Sequence, residues 1–384
     1  MTIARGDAVA LARALIKIDS RNPTLVPDGP GERACALTLA SVLDDWGFSV
    51  KLQEDLHNRP NVIARVGATD APALMLNGHV DVVGAEGMVH DPFAAEVRDG
   101  RIYGRGSADM KSGIAAMCAA ALQAAGRDAR RQVVVTAVAD EEYESLGMRA
   151  LIDSGVRAEV AIITEPTRLA ICPAHRGFVW MDVAFRGRAA HGSRYEIGVD
   201  AITHAGLVLA ELEKLERTRE QGKRHPLLGR GSLHASTIRG GVGMSTYPEE
   251  CVLSLERRTL PGETAADAIK EIEDACATVR AREPRLDARI TQTTSQLPSD
   301  VSIDAPIVKR LTRALDAEGV PVKIEGMSAW TDAALLNAAG IPTICFGPGD
   351  IALAHAAEEF VPLAEIQTAT RVLERVVKDW CSSE

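Results

Sequence analysis

The sequence predicts an α/β fold that carries a smaller unit of β-α-β-β-α-β order inserted within it. Three observations lead to that class. The first half alternates short apolar runs with helical stretches, the pattern of a sheet with helices on both sides. The middle changes to the order just given, which is ferredoxin-like. After it the first pattern returns.

The elements follow in order. Near the N-terminus Arg5, Asp7, Arg13 and Lys17 interrupt an apolar stretch, as in an amphipathic helix and not as in a signal peptide. Residues 33–46 read as a helix that stops at Gly47, and 48–53, 61–66 and 73–77 read as strands. Residues 111–125 read as a buried apolar helix with Gly126 as its stop. The run QVVVTAVA at 132–139 has no polar face, as expected of a strand covered on both sides. A short helix at 146–153 and a buried strand at 159–164 complete the first part. The inserted unit comprises strand 178–186, helix 199–217, strands 233–239 and 251–259, helix 265–282 and strand 286–293. Basic, Gly-rich residues 217–231 read as an exposed loop. Helices at 303–318, 332–339 and 364–380 and a strand at 343–346 close the chain. The expected boundaries are 1–177 and 294–384 for the α/β part and 178–293 for the insertion.

Composition narrows the function. The 384 residues carry a net charge of −10, which opposes nucleic-acid binding, since phosphate neutralisation needs a basic surface. No apolar run reaches the length of a membrane span, so a cytoplasmic protein is expected. The seven cysteines (Cys35, Cys118, Cys172, Cys251, Cys276, Cys345 and Cys381) are odd in number and form no C-x-x-C pair. They read as reduced, buried, small apolar residues.

Five places offer histidine or carboxylate where strands give way to loops. In NGHVD, His79 and Asp81 share one strand face, and a carboxylate there can fix the tautomer of a ligating imidazole. A strand-end histidine beside a solvated acid would look the same. In GRGSADMKSG, Asp109 is either a helix N-cap or a metal-bridging carboxylate. A phosphate loop is excluded, because Met110 stands where glycine must precede Lys111. Asp140, Glu141 and Glu142 end the central strand, where three carboxylates repel unless solvated or neutralised. A metal ion resolves the cost for one and leaves another free as a general base. Glu165 follows the strand at 159–164, and His355 follows the turn Gly347-Pro348-Gly349. Together these are the nitrogen and oxygen donors of a dinuclear site. Two cations roughly 3.5–4 Å apart sharing one carboxylate suit activation of water for hydrolysis. A donor set without cysteine suits Zn²⁺, with Co²⁺ or Mn²⁺ able to substitute.

NGHVDVV, GRGSADMKSG, DEEYESLG, TEPT, GRAAHGS and AHAAEEF resemble, in order and spacing, the dinuclear zinc family of acetylornithine deacetylase, succinyl-diaminopimelate desuccinylase, aminoacylase and the glutamate carboxypeptidases. The resemblance spans nearly the whole chain. It implies a zinc-peptidase-like catalytic domain with a mixed sheet, and an inserted lid that forms a homodimer. By the resemblance His79, Asp109 and Glu165 hold one Zn²⁺, and Asp109, Glu142 and His355 hold the other. Asp81 orients His79, Asp109 adjoins a cis peptide to Met110, and Glu141 is general base on a water bridging the ions. His191 reaches the partner's site to stabilise the oxyanion. Arg258 takes the substrate carboxylate, while Arg257 points to the other sheet face. Gly347 and Gly349 line the substrate. Ser245 stands where many members carry an Asn that helps hold that carboxylate, and a hydroxyl lacks the amide donors. EPTRLAICPAHRGF resembles the acetylornithine deacetylase branch, which implies hydrolysis of an N-acyl amino acid. A desuccinylase, or a dipeptidase or carboxypeptidase, is the alternative. A non-catalytic binding protein would be expected to lack the base or a ligand, and all are present.

Overall fold

The structure is a computed structural model that describes residues 3–54, 57–68, 73–125 and 130–382. The chain divides into two compact units. One comprises residues 1–173, 301–325 and 331–384, the other 174–300 and 326–330.

The first unit begins with α1 (Ala8–Ile16) and α2 (Arg33–Asp45). Strands β1 (Ser49–Gln53), β2 (Asn61–Gly67), β3 (Ala73–His79), β4 (Glu96–Arg98) and β5 (Arg101–Tyr103) follow. Then come α3 (Ser112–Ala121), β6 (Gln132–Val138), α4 (Leu146–Asp153), β7 (Val160–Ile163) and β8 (Ile171–His175). The second unit holds β9 (Gly177–Arg186), α5 (Ala201–Thr218), β10 (Ser232–Gly240), β11 (Glu250–Thr259), α6 (Ala265–Arg280) and β12 (Asp287–Gln296). The first unit resumes with α7 (Pro306–Ala317), α8 (Ala333–Ala338), β13 (Thr343–Cys345), β14 (Phe360–Pro362) and α9 (Leu363–Ser382).

The main sheet runs β1-β2-β6-β3-β7-β13-β8. It is mixed: β6, β3, β7 and β13 are mutually parallel, while β1, β2 and β8 run against their neighbours. The continuous apolar run of β6 follows from burial on both faces. Val133, Val135 and Ala137 pack into a core with α1, α2, α3, α7 and α9, and α4 and α8 lie on the opposite face. Helix α3 is built of small residues because it is wedged under that sheet. A Cβ on Gly113 would stand 2.0 Å from the Thr164 carbonyl oxygen. In the second unit the sheet order is β10-β11-β9-β12, with α5 and α6 on one face. Asp200 caps α5, and Thr264 and Asp267 form a capping box on α6.

The α/β class and the β-α-β-β-α-β order are those the sequence predicts. Three details differ. The helix expected at 111–125 is a π-turn (Ser107–Lys111), then α3, then a 3₁₀ turn (Leu122–Ala125), and its stop at Gly126 lies outside the described residues. Residues 217–231 are not a plain exposed loop. They contain a two-residue hairpin, Arg219 pairs with Glu271, Arg230 pairs with Glu216, and Leu228 is buried. A small sheet of β4, β5 and β14 was not expected. All seven cysteines are buried and none is in a disulfide. Among the described residues no helix is long and apolar enough to cross a membrane.

Candidate metal centre

His79 ends β3, and its ring is buried. Nε2 lies 3.0 Å from Asp109 Oδ1 and 4.0 Å from Glu165 Oε1. Nδ1 faces Asp81, at 3.0 Å from its backbone oxygen and 3.5 Å from Oδ1. The carbonyl is the nearer acceptor, and an Nδ1–H directed there would leave Nε2 available to a cation. The Asp81 carboxylate has further work. It accepts the Asn22 side-chain amide at 2.9 Å and the backbone N–H groups of Glu141 and Glu142 at 3.2 and 3.1 Å. One acid therefore adjoins the imidazole and holds the loop of the acid pair.

Asp109 lies in the π-turn before α3, and its peptide to Met110 is cis, as the resemblance implies. Its two oxygens face different histidines: Oδ1 faces His79, and Oδ2 is 3.6 Å from His355 Nε2. His355 Nε2 also lies 3.0 Å from Glu142 Oε2. Among the described residues, two groups have ligand atoms within 4.8 Å of one another: His79, Asp109 and Glu165, and Asp109, Glu142 and His355. Asp109 belongs to both. It is not a plain N-cap, since Lys111 occupies the position before α3. Lys111 is fully buried and donates to the Ile18 carbonyl at 2.8 Å, which leaves no phosphate loop here.

The three acids ending β6 resolve their repulsion by diverging. Asp140, in the left-handed region at φ 69°, turns to Arg59 at 2.7 Å and Asn22 at 3.0 Å. Glu142 turns to His355. Among the described residues the Glu141 side chain makes no hydrogen bond. Burial raises its carboxyl well above the usual range, and Glu165 and Asp332 add to this against the pull of His79. Glu165 is likewise raised well above its ordinary value, by burial and then by Asp109. Carboxylates crowded around two imidazoles are stable as anions only with added positive charge. The donor set therefore fits divalent cations. Gly347 and Gly349 lie beside this centre. A Cβ on Gly347 would meet the Glu165 carbonyl at 2.6 Å, and one on Gly349 would meet Ala108 at 3.3 Å.

Three residues of interest lie in the second unit. His191 is exposed and pairs as an isolated bridge with Thr246, next to Ser245. Its Nδ1 lies 2.8 Å from the Ser193 hydroxyl, and α5 is capped by Asp200, so His191 does not cap that helix. Arg258 Nε bonds Glu256, and its guanidinium lies 5.3 Å from the centre of the Phe178 ring. Its terminal nitrogens make no hydrogen bond among the described residues. Arg257, on the opposite face, is buried and held by Glu263 and Glu271.

Sequence reasoning missed Asn22, Arg59 and Asp332. Asp332 was read only as a helix start. Both its oxygens are buried and, among the described residues, in no hydrogen bond; burial pushes it up to about 7 against the pull of Ser145. No local pattern marks Asn22 or Arg59.

Residues 75–379 match the family model described as Peptidase family M20/M25/M40. An acetylornithine deacetylase of Myxococcus xanthus is 31% identical over 351 residues, covering 88% of this chain and 90% of that protein. One of Proteus mirabilis is 28% identical over 387 residues, covering 98% and 97%. A tripeptidase structure from Staphylococcus aureus aligns with a TM-score of 0.81 at 20% identity, over 100% of both chains. A Bacillus subtilis structure described as a dinuclear metal binding peptidase aligns with a TM-score of 0.74 at 15% identity, over 98% of each. Site and relatives together define a metal-dependent amide hydrolase. The chain belongs to peptidase family M20/M25/M40.

Proposed function

We propose that the chain is a deacylase that cleaves the amide bond of an N-acyl amino acid, of the acetylornithine deacetylase kind, at a centre of two Zn²⁺ ions. The observation that carries this reading is Asp109, shared by two donor sets, with Glu141 beside them and unengaged. His79, Asp109 and Glu165 would hold one ion, and Asp109, Glu142 and His355 the other; Co²⁺ or Mn²⁺ could replace zinc. Bound there, the ions supply Lewis acidity to the amide carbonyl and lower the pKa of water. Glu141 takes the proton of the attacking water and delivers it to the leaving amine. Asp81 keeps His79 in the tautomer that leaves Nε2 free.

The rest of the task is assigned to residues of the second unit and to the Gly347–Gly349 turn of the first. Arg258, whose two terminal nitrogens make no hydrogen bond among the described residues, takes the substrate carboxylate as a bidentate donor. Ser245 adds a hydroxyl, Gly347 and Gly349 offer backbone, and His191 stabilises the oxyanion. His191 would come from the partner of a cytoplasmic homodimer formed through residues 178–293. Two acetylornithine deacetylases covering nearly all of the chain support the acyl-amino-acid reading. The test is a panel of N-acetyl-ornithine, N-succinyl-diaminopimelate and dipeptides, assayed with Zn²⁺ and Co²⁺. The acetylated substrate is expected to have the highest kcat/KM. A dipeptide cleaved far faster would refute the assignment.

A further inference from the structure

The segment that carries His355 ends on Glu359, a fully buried acid with no part in the chemistry above. Its Oε2 accepts Arg105 Nη1 at 2.7 Å and the Gly106 N–H at 3.1 Å. Its Oε1 accepts the N–H groups of Ala108 at 2.9 Å and Asp109 at 3.2 Å. The Glu359 backbone oxygen accepts the Gly104 N–H at 3.2 Å. Gly106 makes the concavity possible by lying in the left-handed region, at φ 80°.

A buried acid beside a buried arginine is often no more than part of the fold. Here the acceptors point at the turn that presents Asp109, although the two acids are 250 residues apart in sequence. The other end of the tether is four residues from His355. His79 and Glu165 are buried and carried at the ends of β3 and β7. His355 sits in a loop at φ 61°, with its side chain 51% exposed. It therefore has the weakest support of its own.

We infer that Glu359 is a positioning residue that locks the Asp109 turn to the His355 segment, and so sets the cation site of Asp109, Glu142 and His355 more than that of His79, Asp109 and Glu165. The inference rests on the two-cation reading above. Asp109 serves both sites, but only the second also depends on His355.

The experiment is a Co²⁺ titration of the metal-free, full-length chain, followed by calorimetry and visible absorption. His355→Ala first identifies which binding event belongs to the second site. If that variant loses no event, the two-cation reading itself fails, a result distinct from any outcome for Glu359. Glu359→Gln keeps the size but sets an amide donor against N–H groups. It should weaken the second event about 10–100-fold, as loss of a ligand's supporting partner does, and leave the first nearly unchanged. Equal weakening of both events, or of neither, in a variant with a native near-ultraviolet circular dichroism spectrum overturns the proposal. If Glu359→Gln does not fold, Glu359→Asp carries the test. It keeps the charge beside Arg105 but is one methylene too short to reach every N–H. The same selective weakening is expected, and equal or absent weakening again overturns the proposal.

Discussion

Arg59→Met tests whether the Glu141–Glu142 pair is held in place from behind. Arg59 Nη2 lies 2.5 Å from Glu32 Oε1 and 2.7 Å from Asp140 Oδ1, and both carboxylate side chains are fully buried. At an effective dielectric near ~20, unit charges 2.7 Å apart attract by about 6 kcal/mol. Desolvation offsets much of that, which is visible in Glu32, raised by burial despite its hydrogen bonds to Arg59. What remains is the penalty of stranding the acids, about 3–5 kcal/mol when one member of a buried set is removed. At roughly 2–4 °C per kcal/mol for a unit of this size, the melting temperature should fall by about 10 °C. Scanning calorimetry of the metal-loaded chain measures it. Asp140 also receives the Glu144 N–H at 3.2 Å, so its release should shift the neighbouring Glu141 and lower kcat more than it raises KM. Adding Glu32→Gln removes one stranded charge and should recover part of the stability. A melting temperature and kcat both equal to wild type in Arg59→Met would refute the reasoning.

Other expectations follow from single residues. Glu141→Gln should lower kcat about 10²–10⁴-fold, the share of a general base, with bound metal unchanged. Retained activity would exclude Glu141 as the base. Burial pushes His175 down to about 4, and its Nδ1–H donates to the Arg176 carbonyl at 3.0 Å. The unfolded value lies near 6.5, so the folded state holds its full stability above that pH and loses it as pH falls toward 4. The loss is about 1.4 kcal/mol per unit, or about 3 kcal/mol in all. Urea unfolding between pH 4 and 7, wild type against His175→Gln, should show this slope only in the wild type. Equal slopes would contradict it.

The candidate ligands were legible because each adjoins a strand end, a helix start or a tight turn, where apolar runs give way to His or carboxylate. His79, Asp109, Glu142, Glu165 and His355 could all be named before any geometry. Which acid of the pair would bind and which would stay free was not legible from chemistry alone. The resemblance assigned Glu142 as ligand, and the structure turns Glu142 to His355. The supporting residues were hidden for a different reason. Asn22 meets Asp81 across 59 residues and Asp140 across 118. A hydrogen bond that long in sequence leaves no periodic trace. The sheet of β4, β5 and β14 was missed similarly, since strands of three residues are too short to show alternation. Stacking of Arg98 on Tyr103 and Arg101 on Phe360, at 4.3 and 4.4 Å, helps hold it together.

The distribution of positive charge gives the strongest reason to read the centre as built for cations. The acids around it fall into two sets. Asp81 is satisfied by amide donors, Asp140 by Arg59, and Glu359 by Arg105 and backbone. Each of these is engaged by donors that the fold supplies. The inner acids Asp109, Glu142 and Glu165 meet, among the described residues, only His79 and His355, and Glu141 beside them makes no side-chain hydrogen bond there. Ordinary structural burial would pair the inner acids as it pairs the outer ones, because an unpaired buried charge is costly. Arginines are placed nearby, at 59 and 105, and both are spent on the outer set. The inner set is left for charge that the chain does not carry.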